Sequence, residues 1–300
     1  MNFEALTACV TSASCAVTQI STALIVGMLL FLVTSGLSLI FGVLGVINFA
    51  HGGFYMLGAY FAFSAYKLTG SFILALIAGS LGAGIFGVVF ERLIVSRVYG
   101  RNLLMQLLAC YAMTLILDDG VKLIYGSDYK MMGMPAAFAT APVQIAGGFI
   151  PDYYLFMVGI ALVAGLTLWL GINKTRLGKT VRALAINPQM VGVLGVNTTL
   201  LYAGVFGVGS LLAGMAGALA APIRTLTPGI GFSFLIDSFI VTVIGGMGSI
   251  AGAFIAALLI GFIRAFGAIG FPWFVDGLMF AIMALVLVVK PTGLLGREAS

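Results

Sequence analysis

The sequence contains few charged residues. Asp, Glu, Lys and Arg make up 8% of its 300 residues, whereas soluble domains carry about 25%. A water-soluble globular protein is therefore excluded. The net charge of +5 is small and dispersed along the chain, so a nucleic-acid-binding surface is not expected either.

Histidine and cysteine are also scarce. One histidine and three cysteines give no pattern of metal ligands and no pairing of a nucleophile with a base. We therefore expect neither a bound metal nor enzymatic activity. Cys9 and Cys15 could form a disulfide on the outer side of a membrane, or they could remain free thiols. Their spacing alone does not fix the pairing, and we favour the free thiols.

Two further signals are missing. No positively charged region opens the N-terminus, so we do not expect a cleavable signal peptide. Gly178-Lys179-Thr180 ends like a phosphate-binding loop, but Asn173 stands where that motif requires glycine, and no strand precedes it. We therefore expect no nucleotide or other cofactor in this chain, and any ATP would be used by a partner subunit.

Long apolar runs are abundant, since 62% of the residues are hydrophobic. A transmembrane helix needs about 20 apolar residues. Runs near this length occupy 19–41, 52–70, 72–90, 103–124, 154–172, 199–221 and 274–289. Residues 234–266 would add two shorter spans around a glycine-rich break at 245–249. We predict an all-α polytopic transmembrane bundle of eight or nine spans within 18–290, with residues 1–300 forming a single membrane domain.

Basic residues are concentrated in three segments. Residues 91–102, 173–198 and 290–300 hold nine of the 14 Lys and Arg residues but only two of the nine Asp and Glu residues. Because cytoplasmic loops carry an excess of Lys and Arg, we place these segments, and with them the C-terminus, in the cytoplasm. The N-terminus would then lie outside. A short interfacial helix at 3–18, however, would leave undecided on which side of the membrane the N-terminus lies.

The most cationic of these segments is 174–196. Its four cations lie within nine residues, with no acid among them: Lys174, Arg176, Lys179 and Arg182. The last three, at spacing three, would share one face of a short helix. Asn187 and Pro188 are typical of a helix start, and Gly195 of a helix end. The second helix would carry an apolar stripe of Met190, Val191 and Leu194. We interpret the segment as a cytoplasmic helix–turn–helix whose exposed apolar edge binds a partner.

Two glycine-rich stretches interrupt apolar helices. The first, at 45–58, contains Asn48 and His51, and the second runs from 245 to 252. Breaks at membrane depth are tolerated where protein or a water-filled cavity covers the backbone. Matched breaks in the two halves suggest an internal repeat with a translocation pathway between them. The candidate pathway residues are Asn48, His51, Gly52, Gly53, Gly245, Gly246, Gly248 and Ser249.

Each break also has a simpler interpretation. The first could be a tight inner turn in which Asn48 caps the next helix and His51 is a satisfied buried histidine, and for His51 alone we favour this alternative. In the second, Gly248 and Gly252 form a GxxxG pattern, which usually indicates close helix packing. The glycines therefore indicate either a pathway or tight packing.

Acidic residues within the apolar runs are few. Asp118, Asp119 and Lys122 lie at spacings that allow them to pair on one helix, near the outer end of a span. Arg264 and Asp276 could pair across the outer ends of the last two spans. No series of buried carboxylates crosses the bilayer, which argues against a proton-driven transporter.

Several longer stretches carry a family resemblance. GLSLIFGVLGVINFAHGGFYMLGAY, RLGKTVRALAINPQMVGVLGVN, VIGGMGSIAGAFIAALLIG and KPTGLLGR occur in this order between residue 20 and residue 297. They resemble the permease subunits of branched-chain amino-acid ABC importers, specifically the shorter, H-type subunit. Members of this family also import urea, short amides and other small compounds, so the resemblance does not identify the solute.

The resemblance implies a set of partners. These are a second, related and longer permease subunit, two cytoplasmic ATPase subunits, a periplasmic substrate-binding protein, and the lipid bilayer of the bacterial inner membrane. The longest outer loops, 125–153 and 222–233, would receive the binding protein. The ATPase-coupling residues implied by the family are Leu177, Gly178, Arg182, Ala183, Asn187, Pro188, Gly192, Leu194 and Gly195, to which we add Val191 of the apolar stripe.

A facilitative channel for a small polar solute, such as urea or a short amide, is the main alternative. A channel needs no ATPase, and the segment 174–196 would then serve only to anchor orientation. A secondary transporter comes third because buried acids are lacking. Many relatives carry an acid at Asn187-Pro188-Gln189, but the apolar edge expected to contact an ATPase is retained here.

Overall fold

A computed structural model describes residues 3–296, without the side chain of Phe3. Arg297 and Glu298, which we assigned to the cytoplasmic tail, lie outside the described residues. The regular structure is almost entirely helical, as expected for an all-α membrane protein. Its α-helices are α1 (Phe3–Thr11), α2 (Ala13–Leu44), α3 (His51–Thr69), α4 (Phe72–Leu93), α5 (Leu103–Tyr125), α6 (Asp152–Lys174), α7 (Arg176–Ile186), α8 (Pro188–Val193), α9 (Thr198–Ala220), α10 (Ile230–Gly245), α11 (Ile250–Gly270) and α12 (Val275–Val289).

Five helices among the described residues are long and apolar enough to cross a membrane: α2, α4 with the turn that follows it, α6, α9 and α11. α10 and α12 are apolar but shorter. The loop between α5 and α6 carries a hairpin of two strands, β1 (Val143–Ile145) and β2 (Gly148–Ile150). Short 3-10 turns at Val95–Arg97 and Ala136–Phe138 complete the elements.

The long helix α2 lies at the centre of the bundle. Its residues 27–40 are buried on all sides, where it contacts α6, α9, α10 and α11. α9 packs closely on α3 and α4 through small residues, and a Cβ atom on Gly58 would overlap the backbone of Gly214. Small residues at helix contacts allow the backbones to approach, which is the usual packing of membrane helices.

The chain between α2 and α3 returns into the bundle. His51, the first residue of α3, places its Nε2 atom 2.8 Å from the carbonyl oxygen of Val33. Val33 lies 11 residues before the end of α2 at Leu44, about 16 Å along the helix axis at 1.5 Å per residue. α3 therefore begins well inside the bundle.

This geometry corrects the simpler interpretation of the first break. The N-cap position of α3 is Ala50, and no side chain caps the helix. Asn48 instead accepts a hydrogen bond from the backbone N–H of Ala50 through Oδ1, at 3.0 Å. The alternative in which Asn48 caps α3 is therefore wrong, because α3 begins at His51, three residues after Asn48.

Cys9 and Cys15 form a disulfide. The expectation of two free thiols is therefore wrong. The disulfide forms because α1 ends at Thr11 and α2 begins at Ala13, and the bend between these helices brings the two cysteine side chains together. The remaining cysteine, Cys110, is free and buried. We call this side of the molecule the disulfide end, and the opposite side, which carries α7 and α8, the α7–α8 end.

Candidate functional site

The segment 174–196 folds into two short helices, as its sequence predicts. Thr175 precedes α7, and its hydroxyl accepts a hydrogen bond from Gly178 N at 3.0 Å. Asn187 caps α8 by accepting from Met190 N at 2.9 Å, and Pro188 occupies the first turn. Gly195 has φ of +80°, a backbone conformation that favours glycine at a helix end.

Apolar side chains of this segment face outward from the bundle. Leu194 is 75% exposed and Leu177 is 71% exposed. We define the α7–α8 apolar surface as Leu177, Ile186, Met190, Val193 and Leu194, all of which are exposed. Ile186 and Val193 were not singled out from the sequence, although both are apolar residues in a segment outside the spans.

Two residues expected at this surface are instead buried. Val191 is 3% exposed, so it does not belong to the exposed stripe, because α8 turns this position toward α7 and α9. Gly178 is buried where α7 begins, and a Cβ atom there would overlap the carbonyl oxygens of Gly171 and Ile172. Both residues therefore hold the segment against the bundle and do not form part of its exposed surface. Ala183 and Gly192 are exposed.

The cations of the segment lie at the end of α6 and along α7. Lys174, Arg176 and Lys179 are exposed, and none of the ion pairs found within residues 3–296 involves them. Arg182 is partly buried, with Nη1 3.5 Å from Oδ1 of Asn173 on α6. The segment therefore combines an apolar patch with positive charge that the chain itself does not neutralise.

A cavity of about 510 Å³ lies beside this segment. Its walls come from the end of α2, the end of α6, one side of α7 and the chain between α10 and α11. Arg182 from the predicted coupling segment and Gly248 and Ser249 from the second break face the same space. The sequence assigned these residues to separate roles. It gave no signal for Trp169 or Ser38, which also line the cavity.

The second glycine stretch lies between α10 and α11. Gly246 and Gly248 have φ of +98° and +84°, and Ser249 caps α11 by accepting from Gly252 N at 3.0 Å. The C-terminal tail pairs with this region, because Leu294 N donates to Ile244 O at 2.8 Å and Leu295 N donates to Gly245 O at 3.0 Å. The tail was not connected with the break by sequence reasoning, since the contact joins backbone atoms distant in the chain.

The first glycine stretch packs elsewhere. Asn48, His51, Gly52 and Gly53 are all buried. Gly52 lies against the backbone of Gly231 at the start of α10, and Gly53 lies against the side chain of Leu117 on α5. The two breaks therefore contact different parts of the bundle, and the eight candidate pathway residues are not gathered into one site. Asn48 Nδ2 and His51 Nδ1 are buried without a hydrogen-bond partner.

Two clusters of ion pairs occur toward the disulfide end. Lys122 Nζ lies 3.0 Å from both Asp118 Oδ2 and Asp119 Oδ1, as predicted from their spacing. Arg264 approaches Asp276 at 3.5 Å, but its shorter contact, 2.7 Å, is with Asp237. Asp237 had not been paired from the sequence, because α10 and α11 place it beside Arg264 only in the folded chain.

At the other end, the last turn of α4 carries a buried carboxyl group, that of Glu91. Tyr99 donates a hydrogen bond from its hydroxyl to Glu91 Oε1 at 2.9 Å. Burial raises the pKa of Tyr99 well above its usual range, and the neighbouring Glu91 raises it further. Tyr99 is therefore a fixed donor at any ordinary pH. No group of three or more potential metal ligands occurs among residues 3–296.

Sequence comparisons identify the family. A family described as branched-chain amino acid transport system / permease component matches residues 19–287. The high-affinity branched-chain amino acid transport system permease protein BraD of Pseudomonas aeruginosa is 34% identical over 294 residues, which cover 93% of this chain and 95% of that protein. The corresponding permease protein LivH of Escherichia coli K12 is 31% identical over 283 residues, covering 89% and 91%.

The similarity extends to an archaeal relative. The probable branched-chain amino acid transport permease protein LivH of Methanocaldococcus jannaschii is 28% identical over 295 residues, covering 92% of this chain and 91% of that protein. No solved structure matches the chain. The family match covers nearly the whole chain, including every candidate residue named above, and the chain therefore belongs to the branched-chain amino acid transport system permease family.

Proposed function

We propose that the protein is a permease subunit of an ATP-driven importer that carries branched-chain amino acids, or a related small polar solute, across the inner membrane. The observation that carries this proposal is the family match over residues 19–287. The α7–α8 apolar surface agrees with it, because a facilitative channel needs no docking surface of this kind. The permease itself performs no covalent chemistry.

The proposed topology has nine crossings: α2, α3, α4, α5, α6, α9, α10, α11 and α12. The α7–α8 end faces the cytoplasm, since Lys and Arg concentrate there. The disulfide Cys9–Cys15 supports the same orientation, because disulfides persist in oxidising compartments and not in the cytosol. The N-terminus is then outside and the C-terminus inside, within one membrane domain.

The proposed partners on the cytoplasmic side are two ATPase subunits, which would use the ATP. The α7–α8 apolar surface would dock one of them, together with the cations Lys174, Arg176 and Lys179 at the end of α6 and along α7. Motion at this surface would reach the bundle through α7, which packs against α6, α2 and α9. A ligand or nucleotide can shift the transporter between two conformations only if it binds one conformation more tightly than the other.

The proposed partners within and outside the membrane are a second, related permease and a substrate-binding protein. The loop 125–153 and the turn 222–233 would receive the binding protein. Lys130 and Leu226 join these two segments through a pair of backbone hydrogen bonds of 3.0 and 2.8 Å. The segments would therefore act as one connected surface.

Two measurements test the proposal. The chain is coexpressed with its candidate partner subunits, the complex is purified, and L-leucine uptake into proteoliposomes is measured with and without ATP. We expect the ATPases to copurify and uptake to require both ATP and the binding protein. Passive, ATP-independent flux of urea or acetamide through the permease alone would instead establish the channel.

A further inference from the structure

A second, smaller cavity lies between α3, α5 and the first turn of α10. Its volume is about 210 Å³, below the roughly 300–1,000 Å³ of pockets for drug-sized ligands. Its walls are largely apolar and include Met56, Leu115 and Phe232. Asp118 is the one charged residue in its lining. A small, mainly aliphatic molecule with a positive group would match this composition.

Asp118 has one carboxylate oxygen available for such a group. Its Oδ2 atom pairs with Lys122 at 3.0 Å. Its Oδ1 atom is buried and has no hydrogen-bond partner. A Cβ atom built on Gly229, which also lines the cavity, would lie 3.9 Å from Oδ1. A buried acceptor without a donor is costly, so a ligand that donates a hydrogen bond here would relieve that cost.

Two helix N-termini meet beside the same cavity. α3 begins at His51 inside the bundle, and α10 begins at Ile230 with no side-chain cap. Gly52 and Gly231 bring the backbones of their first turns into contact. The N-terminus of a helix carries partial positive charge, which favours an anion. In α10 the N–H groups of Ile230 and Phe232 already donate to backbone carbonyl oxygens, so this end contributes mainly through its partial charge. In transporters, helices that begin at membrane depth place this end against anionic substrate groups.

We propose that this cavity is a binding site for an aliphatic α-amino acid, with its ammonium group on Asp118 Oδ1, its carboxylate at the first turn of α10, and its side chain against Met56, Leu115 and Phe232. The inference rests on the proposed import function and names the substrate class of the permease. The site includes Gly53 of the predicted pathway and adds Asp118, which was expected to be only an interfacial charge.

The first test compares neighbouring carboxylates. Asp118→Asn removes the charge at nearly constant shape. Asp119→Asn is the matched control, because Asp119 shares Lys122 but is 77% exposed and does not line the cavity. L-Leucine uptake is measured in the complete complex. We expect Asp118→Asn to raise the KM for L-leucine about tenfold or more, equivalent to about 1.4 kcal/mol, while Asp119→Asn remains within about twofold of wild type.

The second test remains informative if Asp118→Asn fails to assemble. Leu115→Cys places a thiol on the cavity wall, and Ile116→Cys places one on the neighbouring, exposed position outside it. Modification by a small charged thiol reagent is followed with L-leucine, 4-methylpentanoate or 3-methylbutylamine present. We expect L-leucine to slow the modification of Leu115→Cys several-fold. Each analogue lacks one of the two charged groups of leucine and should therefore protect Leu115→Cys much less. Modification of Ile116→Cys should be unaffected by all three compounds.

The outcomes separate this inference from the proposed function. Wild-type uptake of L-leucine with unchanged KM in Asp118→Asn and no protection at Leu115→Cys would overturn the amino-acid site and leave the importer intact. Loss of complex assembly in Asp118→Asn, with no protection of Leu115→Cys in its assembled complex, would instead show that a basic side chain of the second permease fills the cavity, and would also overturn the amino-acid site. If the wild-type complex takes up no branched-chain amino acid, both the substrate assignment and the site are wrong.

Discussion

The two glycine-rich breaks have similar sequences but different surroundings. In the first, Asn48 and His51 are fully buried, and the helix that follows begins against the backbone of α10. In the second, Met247 is 56% exposed, Gly248 is exposed, and the chain borders the larger cavity beside α7. Glycine thus allows close backbone contact at both breaks, and at the second break it also allows the positive φ of Gly246 and Gly248. A glycine pattern alone does not distinguish the two uses.

The strongest test of this difference is a bulky residue at the first break. We expect Gly52→Leu to abolish uptake and assembly, because its side chain would overlap the Gly231 carbonyl and meet Leu235. Overpacking usually costs 1–3 kcal/mol, and rigid backbone raises that cost. Gly120→Leu is the control, since no atom lies near its Cβ position. Yield of monodisperse complex and L-leucine uptake report the result, and normal assembly of Gly52→Leu would contradict the close contact.

The next largest effect is expected beside the second break. Leu194→Glu places a charge on the α7–α8 apolar surface, which would be buried without a partner if an ATPase docks there. We expect the permease to insert normally but to lose its ATPases, or to hydrolyse ATP without uptake. Lys179→Gln is the control, because it removes a nearby charge and leaves the apolar patch intact. Full ATPase recovery and normal uptake with Leu194→Glu would leave the segment as an orientation anchor.

A smaller effect is expected from loosening the tail that holds the second break. Gly293 has φ of +78° and lies against Gly246. A β-branched residue in that conformation costs about 1–2 kcal/mol, so Gly293→Val should weaken the pairing. We expect the labelling rate of Ser249→Cys to rise several-fold in this background. Gly204→Val, at a helical glycine with free space, should leave the rate unchanged, and equal rates in both would show that the tail is not a restraint.

The smallest effect is expected far from both breaks. Replacing Cys9 and Cys15 by serine removes a short cross-link, which typically contributes about 2 kcal/mol when it constrains the unfolded chain. We expect a modest fall in thermal stability and uptake near the wild-type rate. Two free thiols in the native membrane protein, detected by mass shift after alkylation without reductant, would contradict the disulfide and weaken the orientation argument.

Sequence reasoning succeeded where the signal is local. The helix start at Asn187-Pro188 and the ion pairs of Lys122 follow from spacing along one helix, and both are confirmed. The family followed from motifs spread over the chain. The free thiols favoured at Cys9 and Cys15 were wrong, because the six-residue separation of these cysteines does not encode the angle between α1 and α2.

The sites depend on contacts between distant segments. The burial of Val191 and the pairing of Asp237 with Arg264 depend on how consecutive helices pack, and the approach of Gly231 to Gly52 joins helices far apart in sequence. Helical periodicity fixes which residues share a face but not which neighbour that face meets. The cavity at Asp118 was therefore invisible until α3, α5 and α10 were placed together.

The length of α2 has a consequence for how the protein meets the bilayer. Its 32 residues rise about 48 Å, whereas the antiparallel α11 beside it has 21 residues and rises about 32 Å. A hydrocarbon core of about 30 Å matches α11 and not α2. The excess lies at the α7–α8 end, because Gly261 of α11 packs against Ala23 and Gly27 of α2, so that the end of α11 at Gly270 already reaches the start of α2. Because α2 is enclosed by its neighbours, the lipids contact shorter helices such as α4 and α6. These outer helices, and not α2, therefore set the membrane thickness that the protein prefers.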